Sequence, residues 1–169
     1  MNSRIWEKIE KNRTLRVVEA YKEQFKTLLV EFQSSKSGYG KFGPFYELYL
    51  FAFVVGFFSK YRFKELQQHQ LGKFNAVHEW KHDRKSMFKI YLSALLTDDS
   101  IRNETGFIFE ELSNKDIREL DTPIKNLITV FEEYANGGFE ILSNELSENP
   151  EAFDHFLSLM KIHEDILKE

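Results

Sequence analysis

The chain has 169 residues, among them 17 phenylalanines, 7 tyrosines, 2 tryptophans and no cysteine, and it carries a net charge of −4. That length suits one core burying roughly two-thirds of the unfolded surface, not two domains, and the lack of cysteine excludes disulfides and thiolate chemistry. The small net value hides a division, because residues 1–90 hold 17 Lys and Arg against 9 Asp and Glu (+8), whereas residues 91–169 hold 6 against 18 (−12).

A basic half of that size attracts phosphate backbones or acidic proteins, and an acidic half repels nucleic acid. The opening residues Met1-Asn2-Ser3-Arg4-Ile5-Trp6 bring in charge at once, with no apolar run of signal-peptide length, so a cytoplasmic location is expected. From Thr14 as N-cap, the stripe Val17, Val18, Tyr21, Phe25, Leu28, Leu29 and Phe32 predicts an amphipathic helix. Three glycines and a proline in residues 34–44 predict a loop, with a spacing that fits neither the Walker nor the dinucleotide fingerprint. The run from Pro44 to Phe58 is apolar around its whole circumference. It is shorter than the ~20 residues of a bilayer span and contains Glu47, which predicts a buried central helix and no membrane crossing.

A polar stretch to Gln70 follows, and then Met87, Ile90, Tyr91, Ala94 and Leu95 mark a helix that ends near Thr97-Asp98-Asp99. Ser113–Asp116 and Thr122-Pro123 read as helix starts, the second leading into Ile124, Leu127, Ile128, Phe131 and Tyr134. The string Asn136-Gly137-Gly138 interrupts that stripe and predicts a tight helix-to-helix corner. Asn149-Pro150 opens a last helix with Phe153, Phe156, Leu157, Met160 and Leu167 facing inward. There is no β alternation, internal repeat or linker. The expected architecture is all-α, a compact bundle of about six helices around one aromatic-rich core, forming a single domain over 1–169 whose basic half 1–90 and acidic half 91–169 meet without a linker.

Two patterns could carry chemistry. His78-Glu79-Trp80-Lys81-His82 is a literal H-E-x-x-H, which on a helix sets His78 and His82 on one face as zinc ligands with Glu79 as general base. Lys81 places a cation inside the motif, and the third ligand is undefined among Asp98, Asp99, Glu104, Glu110 and Glu111. The zinc-dependent hydrolase is therefore the alternative, and a protein without cofactor or catalytic residues is the leading expectation. The second pattern is cationic. Lys81, Lys85 and Lys89 recur every four residues as a ridge flanked by Arg84, and Lys60, Arg62 and Lys64 alternate with Tyr61 and Phe63, on which bases could stack. Adjacent acid pairs such as Glu132-Glu133 point in different directions on a helix and do not form an acid/base site.

The most distinctive wording is Ile128-Thr129-Val130-Phe131-Glu132-Glu133-Tyr134-Ala135-Asn136-Gly137-Gly138-Phe139-Glu140-Ile141-Leu142. Together with the apolar segment Leu50–Phe57, it resembles the small accessory proteins encoded beside bacterial DNA phosphorothioation genes, the Dnd-associated family usually numbered fourth. Tyr134, Asn136, Gly137 and Gly138 are the positions that define the resemblance, with a structural role. The resemblance implies a bacterial protein linked to sulfur modification of DNA, or to restriction of unmodified DNA as in phage defence. The function expected from residues and resemblance is a non-enzymatic accessory or adaptor module that contacts DNA or a larger protein of the same system through Lys60, Arg62, Lys64, Lys81, Arg84, Lys85 and Lys89. Its dipolar charge is also compatible with salt-sensitive head-to-tail homo-oligomers.

Overall fold

The computed structural model describes residues 3–26, 44–74, 76–108, 116 and 118–148. Most of the predicted 34–44 loop, the outer part of the first stripe (Leu28, Leu29, Phe32), the start at Ser113 and the last helix from Asn149 lie outside these residues.

Six α-helices and one small antiparallel pair of strands make up the described chain: α1 (Ser3–Asn12), β1 (Arg16–Val18), α2 (Glu19–Phe25), α3 (Phe45–Phe58), β2 (Leu71–Lys73), α4 (His82–Leu95), α5 (Asp99–Thr105) and α6 (Asp121–Glu148). The fold is mostly helical, as predicted, and its core is aromatic. The central helix α3 buries Phe45, Tyr46, Leu48, Tyr49, Leu50, Ala52, Phe53 and Gly56. These positions spread around the helix, so α3 needs neighbours on most of its surface, and its principal partner is α6. The predicted stripe of α6 faces inward, with Ile124, Leu127, Ile128 and Phe131 buried. Phe53 and Phe131 stack at 4.1 Å between ring centroids, and Phe88 of α4 meets Phe131 edge-on at 4.9 Å. Phe139 lies within 6.2 Å of Tyr21, Phe25, Phe45 and Tyr49. Pairs of this kind add ~0.5–1.5 kcal/mol each beyond the area they bury.

Two expectations need correction, and one helix lies where the sequence predicts no element. The first helix does not begin at Thr14: Val17 and Val18 are extended, and β1 pairs with β2 in the register Arg16↔Lys73, Val17↔Gly72, Val18↔Leu71. Three residues are too few to show period-2 alternation, and two apolar valines fit a helical stripe equally well. The additional helix, α1, precedes this strand, burying Ile5 and Ile9 four residues apart and setting Trp6 5.9 Å from Phe88. Nor does the chain turn at Asn136-Gly137-Gly138. Helix α6 runs through these residues as part of 28 continuous positions.

The glycines serve close approach. A Cβ on Gly138 would lie 1.8 Å from the carbonyl oxygen of Ala52, and one on Gly56 would lie 2.0 Å from that of Tyr134. Backbone therefore meets backbone where α3 crosses α6, and that contact offsets the ~1 kcal/mol that a helical glycine costs relative to alanine.

Candidate functional site

Helix α3 ends in a Schellman turn: Tyr61 N–H donates to Gly56 C=O at 2.9 Å and Lys60 N–H to Phe57 C=O at 3.1 Å. The residue at the left-handed position of that turn is Lys60, with φ 53°. Glycine is the usual occupant, because a Cβ there costs ~1–2 kcal/mol. Lys60, Lys64 and Lys81 are all exposed.

The remaining predicted cations are engaged. Arg62 donates two bonds of 2.7 Å to Glu104 of α5 and one of 2.9 Å to Glu133 of α6, and its ring-facing side lies 5.6 Å from the Tyr134 centroid. Those bonds hold the Glu104 carboxyl below its ordinary range. Arg84 bonds Glu47 at 3.1 Å, and Lys85 bonds Glu10 of α1 at 2.7 Å. Lys89 lies 5.9 Å from the Trp6 ring. The ridge 81–85–89 is thus where α1 docks on α4, with Lys81 at its free end, and the 60–64 cluster is separate in sequence and divided by the Arg62 clamp.

The H-E-x-x-H residues do not share a helix. Val77–Glu79 form a single 3-10 turn, Trp80 and Lys81 are extended at ψ 155° and 149°, and α4 begins at His82. Trp80 dictates the break, because its ring is buried against Tyr46 (5.1 Å) and Phe88 (5.5 Å) and draws the chain off a helical path. The residues present do not fit the zinc-binding helix that the motif requires. Among the described residues, no three His, Asp or Glu side chains are grouped to hold a metal ion.

The string on α6 resolves into four different contacts. Asn136 is fully buried; its Oδ1 accepts from Val18 N–H at 2.8 Å, and its Nδ2 donates to Arg16 C=O at 3.2 Å and to Glu132 C=O at 2.8 Å. One turn earlier, Glu132 accepts from Arg16 N–H and Nε at 2.8 Å each. Tyr49 of α3 donates its hydroxyl to the same Arg16 carbonyl at 2.9 Å. Side chains thereby complete the edge of β1 that β2 does not pair, which is how three residues can stay extended amid helices. Burial pushes the Glu132 carboxyl above its ordinary range despite Arg16, and pushes the Tyr49 phenol well up.

Gly137 makes room for residues 61–63: a Cβ there would lie 2.5 Å from Tyr61 C=O, and Phe63 N–H donates to Glu133 C=O at 3.0 Å. Gly138 receives α3, and Tyr134 meets Phe57 edge-on at 5.5 Å. The same side of α6 also bounds a cleft of about 280 Å³ that contains Arg13, Arg16, Lys73 and Lys125. Sequence reasoning missed it because its cations are scattered and Lys125 belongs to the acidic half. Only proximity in the fold reveals it.

These features define a small helical protein in which the distinctive polar and glycine residues of the longest helix are committed to holding other segments in place. The chain belongs to the family of DNA sulphur modification system-associated protein 4, whose model matches residues 20–166. No curated protein and no solved structure matches it. The match includes the whole Ile128–Leu142 string and begins just after β1, the strand that the string holds. No described helix is long and apolar enough to cross a membrane.

Proposed function

We propose that the chain is a non-enzymatic accessory module of a bacterial DNA-modification and phage-defence system, working in the cytoplasm and contacting DNA through its basic N-terminal half. Family membership supplies the system, and Lys60 carries the contact. A lysine kept at a left-handed position where glycine costs less, with its ammonium in solvent, points to a role for that charge outside the fold. Lys64 follows four residues on, and Tyr61, at 41 % exposure, offers a ring between them. Cations with an aromatic between them suit a phosphate backbone read without sequence preference.

The test is binding of a labelled duplex, with and without phosphorothioate linkages, from about 50 to 200 mM salt, a range over which multi-phosphate contacts weaken by orders of magnitude. Wild type should bind with a steep salt dependence, and Lys60→Glu with Lys64→Glu and Lys81→Glu should lose at least tenfold. The variant Lys60→Gly separates binding from folding: it should melt higher by about 0.5–1 kcal/mol while binding more weakly. Equal binding by wild type and the triple variant would reject this surface. No binding at low salt would leave the same half of the chain as a docking face for a larger protein of the system, to be sought by pull-down.

A further inference from the structure

In the cleft between the β1–β2 pair and the first half of α6, cations outnumber acids: Arg13, Arg16, Lys73 and Lys125 surround one acid, Glu132. That acid is already taken by Arg16 through Nε and the backbone N–H, and through Nη2, which leaves Nη1 of Arg16 outside the pair. Arg13 has an Nε shut off from solvent with no acceptor, at a cost of ~1–3 kcal/mol for such a group. Lys73 and Lys125 are exposed and have no ion-pair partner among the described residues. Register brings Lys73 beside Arg16 across the strand pair, and helical spacing sets Thr129 one turn after Lys125 on the same wall.

We propose that this cleft is a binding site for a phosphate-type oxyanion. Three positive charges remain after Glu132 is counted, more than a single carboxylate would need. Donors also arrive from the α1–β1 connection, from β2 and from α6, a convergence that suits a tetrahedral group with oxygens on several sides rather than a planar one gripped by a single arginine. A volume of about 280 Å³ takes the oxyanion with room for what it is attached to. The same chemistry is presented by free phosphate or thiophosphate and by a phosphate within a nucleic-acid strand. The site is distinct from Lys60, Lys64 and Lys81, so it stands or falls independently of the duplex surface proposed above.

Amide chemical shifts of the full chain, titrated with inorganic phosphate and with thiophosphate, test it. Saturable shifts confined to Arg13–Val18, Lys73 and Lys125–Thr129 are expected, at least tenfold weaker in Lys73→Glu/Lys125→Glu, whose exposed side chains leave the fold intact, and unchanged in Lys64→Glu/Lys81→Glu. Competition by a short unmodified oligonucleotide assigns the source: displacement of phosphate identifies a strand phosphate, and no displacement identifies a free oxyanion. Shifts spread over all exposed lysines, or equal affinity in Lys73→Glu/Lys125→Glu, would overturn the proposal. Retained duplex binding by that double variant would show that only the cleft has failed.

Discussion

Asn136 is a fully buried polar side chain whose hydrogen bonds all go to backbone groups. Its amide supplies one acceptor and two donors to three buried or half-buried backbone groups. Truncation to alanine orphans Val18 N–H and should cost about 2–4 kcal/mol in chemical denaturation. Asn136→Asp keeps the acceptor but replaces Nδ2, the donor of both bonds, with an oxygen facing the carbonyls of Arg16 and Glu132, so it should be at least as destabilising as alanine. If the aspartate variant melts like wild type, the side chain is not bonded this way. Asparagine amid small residues signals a turn when read locally. Here the residue serves as a substitute strand partner for a segment more than a hundred positions away, and no local pattern encodes that.

At the scale of elements, the α3–α6 crossing is set by glycines. Adding a methyl to Gly138 or Gly56 pushes against a carbonyl of the opposing helix, and neither backbone can move without separating the aromatic pairs beside it. Gly138→Ala and Gly56→Ala should each reach or exceed the ~3 kcal/mol upper end of ordinary overpacking. Their double variant should cost less than the two effects added, because one displacement of the helices relieves both clashes. Full additivity in urea denaturation would argue against a shared contact. The helices themselves were legible in the sequence: the all-round apolar run gave α3 and the Ile124–Phe131 stripe gave most of α6. The corner at Gly137-Gly138 was misread, because paired glycines mean either positive φ or close approach. A clue lay in Gly56, a lone glycine inside the other strongly apolar helix. The H-E-x-x-H pattern was misleading for the same reason, since spacing implies a shared face only where the chain is helical, and Trp80 prevents that.

For the whole molecule, several charges of the +8 half pair with charges of the −12 half among the described residues. Lys8 pairs with Asp121, Arg16 with Glu132, and Arg62 with Glu104 and Glu133. Two of these carboxylates give opposite pH signatures. Glu104 is held below its ordinary range in the fold, so its contribution is present at neutral pH and is lost as pH falls through that range and below; being half exposed, it is worth less than ~1 kcal/mol. Glu132 is held above its ordinary range, so the fold favours its protonated form, and its contribution declines as pH rises from the ordinary carboxylate value to the raised one and is flat beyond. Melting from pH 7 to 3 should show a loss of stability at the acid end that Glu104→Gln reduces. An unchanged acid limb in that variant would remove Glu104 from the account.

Asn136 lies 118 positions after Val18, whose backbone it completes. At ~5–20 residues per second, a ribosome that has just made β1 needs roughly 6–24 s to make its partner. Once Phe58 is made, α3 spends the rest of that interval without the helix that covers it. Until α6 emerges the newborn chain exposes apolar surface of the kind that aggregates, and a chain truncated before Asn136 is expected to aggregate or be degraded rather than act as a smaller working module.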